Sequence, residues 1–148
     1  MRTRLLLLLL LVTAVTAGVA ASAPAGDSAT RPTLTVKSSR FGPILFDGRG
    51  YVLYAFTRDP RGRSACSGAC AAAWPPYIAR GTLRAGAGVR QSLIGRTRRA
   101  NGSYQLTYAG RPLYYYAGDR SPGQILCQNV DEFGGLWLVV RGSGKLVR

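Results

Sequence analysis

Two short stretches place an acid at the same spacing behind aromatic residues: YAFTRD from Tyr54 to Asp59, and YYYAGD from Tyr114 to Asp119. Asp59 and Asp119 form a pseudo-symmetric carboxylate pair. Two carboxylates flanking one bond are the equipment of glycoside hydrolysis, and carboxylate clusters hold hard cations such as calcium. Neither DPRGRS after Asp59 nor DRSPGQ after Asp119 supplies a further acid, and Arg58, Arg61 and Arg120 repel a cation, so no metal is expected. Asp131 and Glu132, the one other acidic pair, sit beside Gly134 and Gly135 in a turn. A second use of the hexapeptide is structural. Side chains alternate along a strand, so Tyr54 and Phe56 share one face while Leu53 and Ala55 share the other, and Tyr114 and Tyr116 repeat the arrangement. Each Asp falls where its strand ends and a Pro- and Gly-containing turn begins, where a carboxylate accepts turn N–H groups. Tyr54, Phe56, Asp59, Tyr114, Tyr116 and Asp119 are therefore read first as an end-of-strand clasp, with each Tyr hydroxyl within reach of the opposite copy's Asp. The hydrolytic pair is the alternative.

The remaining inventory excludes much. The chain contains no histidine, which removes Ser-His-Asp and Cys-His catalysis and His-ligated zinc or haem. GRGYVL lacks the GxGxxG spacing and no GxxxxGK occurs, so no nucleotide cradle and no cofactor is expected. Cys66 and Cys70 in CSGAC are four apart. In an exported chain that spacing reads as a short disulfide stapling a loop, whereas a redox motif is more usually CxxC. Cys127 is left over as a free thiol, an intermolecular partner, or a competitor for Cys66 or Cys70. An extracytoplasmic redox accessory working through these cysteines is a further alternative.

Charge points to partners. The formal net charge is +14, carried mostly by arginine, and attraction to polyanions follows. Arg96, Arg98 and Arg99 in GRTRRANG lead into a hairpin turn and are the candidate anion-binding residues, with Arg80, Arg84 and Arg90 extending a basic strip. Of the aromatics, Tyr54, Phe56, Trp74, Tyr114, Tyr116 and Trp137 suit a core, while Tyr77, Tyr104, Tyr108 and Tyr115 suit a surface.

The elements that must position these residues are short β runs. MRTR, then LLLLLLLVTAV, then small residues has the three-part form of a secretory signal peptide over residues 1–23. Its apolar run is shorter than the roughly 20 residues of a membrane span, and cleavage is expected within Ala20 to Ala23. The expected product is exported, with a formal charge lowered from +14 to +12 by loss of Arg2 and Arg4. No cysteine precedes Cys66, so no N-terminal lipid anchor is expected. Residues 24–40 read as a flexible leader that contributes at most an edge strand, LTVK. Residues 41–148 read as one β domain. ILF and YVLYAF flank DGRG as a hairpin, SLIGRTRR and YQLTY flank the Asn-Gly turn, and LWLVVR closes the chain. Ala71 to Ala73 form one short helical turn that Pro75 and Pro76 end. Aligning Leu53 with Leu113 pairs Gly50 with Gly110, Tyr54 with Tyr114, Phe56 with Tyr116 and Asp59 with Asp119, and sets Cys66 one position off Cys127. The expected fold is an all-β antiparallel domain of two duplicated β-hairpin repeats, at about 41–80 and 92–140, each covering the other's aromatic face.

GYVLYAFTRDPRGRSACSGACAAAWPP, NGSYQLTYAGRPLYYYAGDRSPG and GGLWLVV together closely resemble the bacterial secreted-repeat family of predicted lipoproteins, with its tandem Tyr-x-aromatic-x-x-Asp motif. The resemblance covers about residues 41–140. It implies secretion and repeat architecture, and no chemistry, since the family has no established biochemical function. The chain departs from the family in lacking the lipid-bearing cysteine of many relatives and in carrying Cys127 where the second repeat generally has Gly. The expected function is that of a secreted, non-enzymatic, envelope-associated module. Its expected partners are anionic envelope polymers or lipid head groups, met through Arg-rich surface, with no nucleic acid.

Overall fold

The computed structural model describes residues 31–148, so the expected signal peptide and the first part of the leader lie outside the described residues. The fold is nearly all-β. Strand β1 (Leu34–Lys37) pairs antiparallel with β2 (Ile44–Asp47), and β4 (Ile94–Arg98) pairs antiparallel with β5 (Tyr104–Tyr108), which continues into the two-residue β6 (Arg111–Pro112). These are corresponding hairpins of the two copies. LTVK is thus the expected edge strand, and its Leu34 is fully buried in the aliphatic part of the core. At the turn after β2, Asp47 accepts the Gly50 N–H, and Gly50 holds φ at +95°, a conformation open to glycine.

The two copies then exchange strands. β3 (Tyr54–Phe56) of the first copy pairs with β8 (Gly135–Val139) of the second, Tyr54 opposite Val139 and Phe56 opposite Trp137, and β7 (Val130–Glu132) flanks β8. In the other direction, residues 113–117 of the second copy run beside residues 73–77 of the first. Tyr115 N–H donates to the Pro75 carbonyl at 2.8 Å, Ala117 N–H to Ala73 at 2.9 Å, and Tyr77 N–H to Leu113 at 2.9 Å. The stretch WPPY therefore occupies the place that WLVV takes in β8. It does not form a regular strand because Pro75 and Pro76 have no N–H to donate. The two motif strands meet at Tyr54 and Tyr114, whose N–H and carbonyl groups exchange two bonds of 2.9 Å each.

Helix α1 (Ala69–Ala73) is the alanine-rich turn expected around Ala71, closed by Trp74 N–H on the Cys70 carbonyl and ended by the prolines. A single 3-10 turn, Gln91–Leu93, precedes β4. Alternation along the motif strand sorts the core as the sequence implied. Tyr54 and Phe56 join Trp74, Tyr114 and Trp137 in an aromatic cluster, and Leu53 and Ala55 join Leu34, Leu106 and Leu113 in an aliphatic one. Both faces of the strand are buried, which is why YVLYAF is almost uninterruptedly apolar.

Candidate functional site

The duplicated motif closes on itself across the two copies. Tyr54 donates its hydroxyl to Asp119 Oδ2 at 2.7 Å, and Tyr114 donates its hydroxyl to Asp59 Oδ2, also at 2.7 Å. The second oxygen of each carboxylate binds its own turn: Asp59 Oδ1 accepts Ala65 N–H at 2.7 Å and Asp119 Oδ1 accepts Leu126 N–H at 3.0 Å. Each donor residue, Ala65 or Leu126, immediately precedes a cysteine, Cys66 or Cys127. An arginine from the hairpin of the Tyr-bearing copy completes each clasp. Arg99 donates to Ser64 Oγ at 2.9 Å and to the Cys66 carbonyl at 2.7 Å. Arg40 donates to the Ile125 carbonyl in the matching loop. Asp is thus supplied by one copy, and Tyr and Arg by the other.

The electrostatics follow from this enclosure. Burial pushes the Asp59 and Asp119 carboxyls above their ordinary 3.8, although the phenol and backbone donors, and more weakly Arg99 and Arg40, favour the charged forms. Burial beside those carboxylates pushes the Tyr54 and Tyr114 phenols far above 10. Between the clasps the aromatic side chains stack: Phe56 on Trp137 at 4.2 Å, Trp137 on Trp74 at 4.0 Å, and Trp74 against a tilted Tyr116 at 4.8 Å. Gly118 admits the Tyr116 ring, since a Cβ there would lie 2.4 Å from it. The Trp74 indole N–H is satisfied by Glu132 Oε2 at 2.8 Å.

A family model for a secreted repeat of unknown function, Lipoprotein 15, matches residues 35–77 and again residues 95–141. The chain belongs to that family. No curated protein and no solved structure matches it. The two matched secreted repeats each hold a hairpin, a motif strand and a Trp. The first match ends at Tyr77, just beyond WPP, and the second at Arg141, just beyond β8, so each spans one partner of the exchange.

Cys66 and Cys70 form the expected disulfide, with Cα atoms 5.3 Å apart and both residues buried. Cys127 is a half-buried free thiol beside Tyr116, whose phenol it holds above the ordinary range. Among the described residues no group of three or more His, Cys, Asp or Glu side chains gathers.

The candidate anion-binding arginines separate. Arg96 and Arg98 lie on the exposed face of β4, and Arg96 donates to the Gly81 carbonyl. Arg99 turns inward to Ser64, Gln105 and Cys66 and is part of the clasp. Of the tyrosines read as surface candidates, Tyr104 is exposed and Tyr77 and Tyr115 are half-buried. Tyr108 is fully buried, with its hydroxyl donated to the Gly142 carbonyl at 2.7 Å.

One buried acid is not distinguished by its sequence context. Asp47, 2% exposed, accepts Arg49 N–H, Arg49 Nε–H and Tyr51 N–H at 2.9 Å each, and the Tyr115 hydroxyl at 3.0 Å. Arg49 to Asp47 is the one ion pair among the described residues. Three surface concavities, of about 470, 590 and 480 Å³, are each lined by at least two cationic side chains: Lys37 and Arg40; Arg31, Arg49 and Arg80; Arg63, Arg98 and Arg99. Neither Asp59 nor Asp119 lines any of them.

Proposed function

We propose that this secreted repeat is a non-catalytic, envelope-associated binding module that holds anionic envelope polymers through its arginine surface. The observation that carries the reading is the fate of the acids. Asp47, Asp59, Asp119 and Glu132 each accept internal hydrogen bonds, so among the described residues Asp131 alone is left without one to its side chain. Among the described residues the arginines other than Arg99, Arg111 and Arg141 are exposed, Arg49 alone is paired with a carboxylate, and every one of the three concavities is basic. Such a surface draws phosphate- or carboxylate-bearing polymers and loosens as salt screens it. The motif acids, with both oxygens of each already engaged, serve the fold.

Co-sedimentation of the protein with purified envelope across a salt series tests this reading. Binding at low salt that falls as salt rises supports it. No sedimentation at low salt refutes it.

A further inference from the structure

One concavity combines charge with two tyrosine rings and a pair of prolines. The depression of about 590 Å³ is lined by Arg31, Arg49 and Arg80 together with Tyr77, Tyr115 and the Pro75-Pro76 pair. Its volume is in the range of small-ligand sites. The Arg84 backbone N–H donates to Oγ1 of the lining residue Thr33 at 2.8 Å, and Arg96 donates to the carbonyl of Gly81, between the lining residues Arg80 and Thr82.

The walls are already set in place. The Tyr115 hydroxyl is held by Asp47 at 3.0 Å and the Tyr77 hydroxyl by the Thr33 carbonyl at 3.0 Å. The two rings lie 5.2 Å apart at 48°, half-buried against the aliphatic core, and their exposed parts line the depression with the two prolines. Arg49 binds Asp47 through Nε, and its guanidinium lies 5.1 Å from the Tyr51 ring and 5.9 Å from the Tyr115 ring. Its two terminal amino groups make no hydrogen bond among the described residues and stay able to bind a planar anion in two-pronged fashion. The Arg80 side chain likewise makes no hydrogen bond among the described residues. Asp47, the one acid lining the depression, is buried and its charge is offset by the Arg49 ion pair, so Arg31 and Arg80 supply the net positive charge of the site.

We infer that this depression is a saccharide-binding site for sugar units bearing phosphate or carboxylate. The exposed parts of the tyrosines and prolines would take the C–H face of the ring, and the Arg31, Arg49 and Arg80 guanidiniums its anionic substituent. The inference rests on the envelope-polymer reading and names the unit of the polymer that is recognised. A bare anion would leave the aromatic walls unused, and a neutral sugar would leave the guanidiniums unused.

The test is saturation-transfer NMR of the protein with glucose 6-phosphate, glucuronate and glucose as separate probes, and with inorganic phosphate, which has no carbon-bound protons, read by how well it displaces glucose 6-phosphate. The expected result is transfer to the ring protons of both charged sugars, with glucose and inorganic phosphate each binding about tenfold more weakly, the weight of roughly one charge-assisted contact. Arg80→Gln, and separately Arg31→Gln, should weaken the charged sugars about tenfold while leaving the melting temperature in place. Equal affinity for glucose and glucose 6-phosphate, equal affinity for inorganic phosphate and glucose 6-phosphate, or unchanged binding in both variants would each overturn the assignment. Envelope co-sedimentation of the wild-type protein separates the two claims. Charged sugars held in the depression by a protein that does not sediment would refute the envelope reading and uphold the site.

Discussion

Trp74 and Trp137 lie face to face, ring centroids 4.0 Å apart and planes within 4° of parallel, one from each repeat. Each is also met edge-on by its own repeat's motif tyrosine: Tyr54 at 5.2 Å from Trp74, and Tyr114 at 5.1 Å from Trp137. The indole pair is the point where the two copies share one core. Two indoles this close couple their transitions, so the protein is expected to show an exciton couplet in far-UV circular dichroism. Either Trp74→Phe or Trp137→Phe should abolish it. Truncation of either to Ala should destabilise by about 3 to 5 kcal/mol, measured by chemical denaturation.

Stability should respond to pH asymmetrically. Tyr54, Tyr114 and Tyr115 have folded pKa values raised above the ordinary 10.0. Their contribution is therefore fully present below pH 10 and is lost as pH rises toward the folded values. Asp59 and Asp119 are raised above 3.8, so their contribution is complete below 3.8 and declines as pH rises through their folded values. Acidification should thus not unfold the protein through these two acids, whereas alkali should. Melting temperature against pH, with ultraviolet detection of phenolate, checks this. Three of the eight tyrosines should ionise only with unfolding.

Arg98 and Arg99 are neighbours with opposite expected phenotypes. Arg99→Gln removes charged donors from Ser64 and the Cys66 carbonyl and should destabilise by about 1 to 3 kcal/mol. Arg98→Gln alters an exposed residue and should stay within about 0.5 kcal/mol while weakening envelope binding. Denaturation curves and co-sedimentation of the two variants decide between these roles.

The disulfide closes a short loop, so Cys66→Ser with Cys70→Ser should cost about 2 kcal/mol by loop entropy. In the wild-type protein, thiol titration under denaturing, non-reducing conditions should count a single thiol, Cys127.

Much of this architecture can be read from the residues. The hexapeptide spacing marks the repeats, alternation divides Tyr54 and Phe56 from Leu53 and Ala55, and the loop cysteines announce their bridge. The strand exchange is not legible, because a strand's partner is set by distant residues; WPPY, with two prolines, reads as a stop rather than as the counterpart of WLVV. Asp47 is hidden within a turn signal, DGRG, that explains an acid without any further partner. Arg99 breaks from the outward face of Arg96 and Arg98 because it follows β4, where its N–H bonds to the Ser103 carbonyl and the chain reverses. Tyr108 is drawn inside by a carbonyl of the chain's last turn, 34 residues away.

The most direct test of the account is a set of double-mutant cycles combining Tyr54→Phe and Tyr114→Phe with Asp59→Asn and Asp119→Asn. Coupling of about 1 kcal/mol or more is expected for Tyr54 with Asp119 and for Tyr114 with Asp59, and within about 0.3 to 0.5 kcal/mol of zero for the two same-repeat pairs. Coupling confined to the same-repeat pairs, or absent from all four, would contradict the reciprocal clasp.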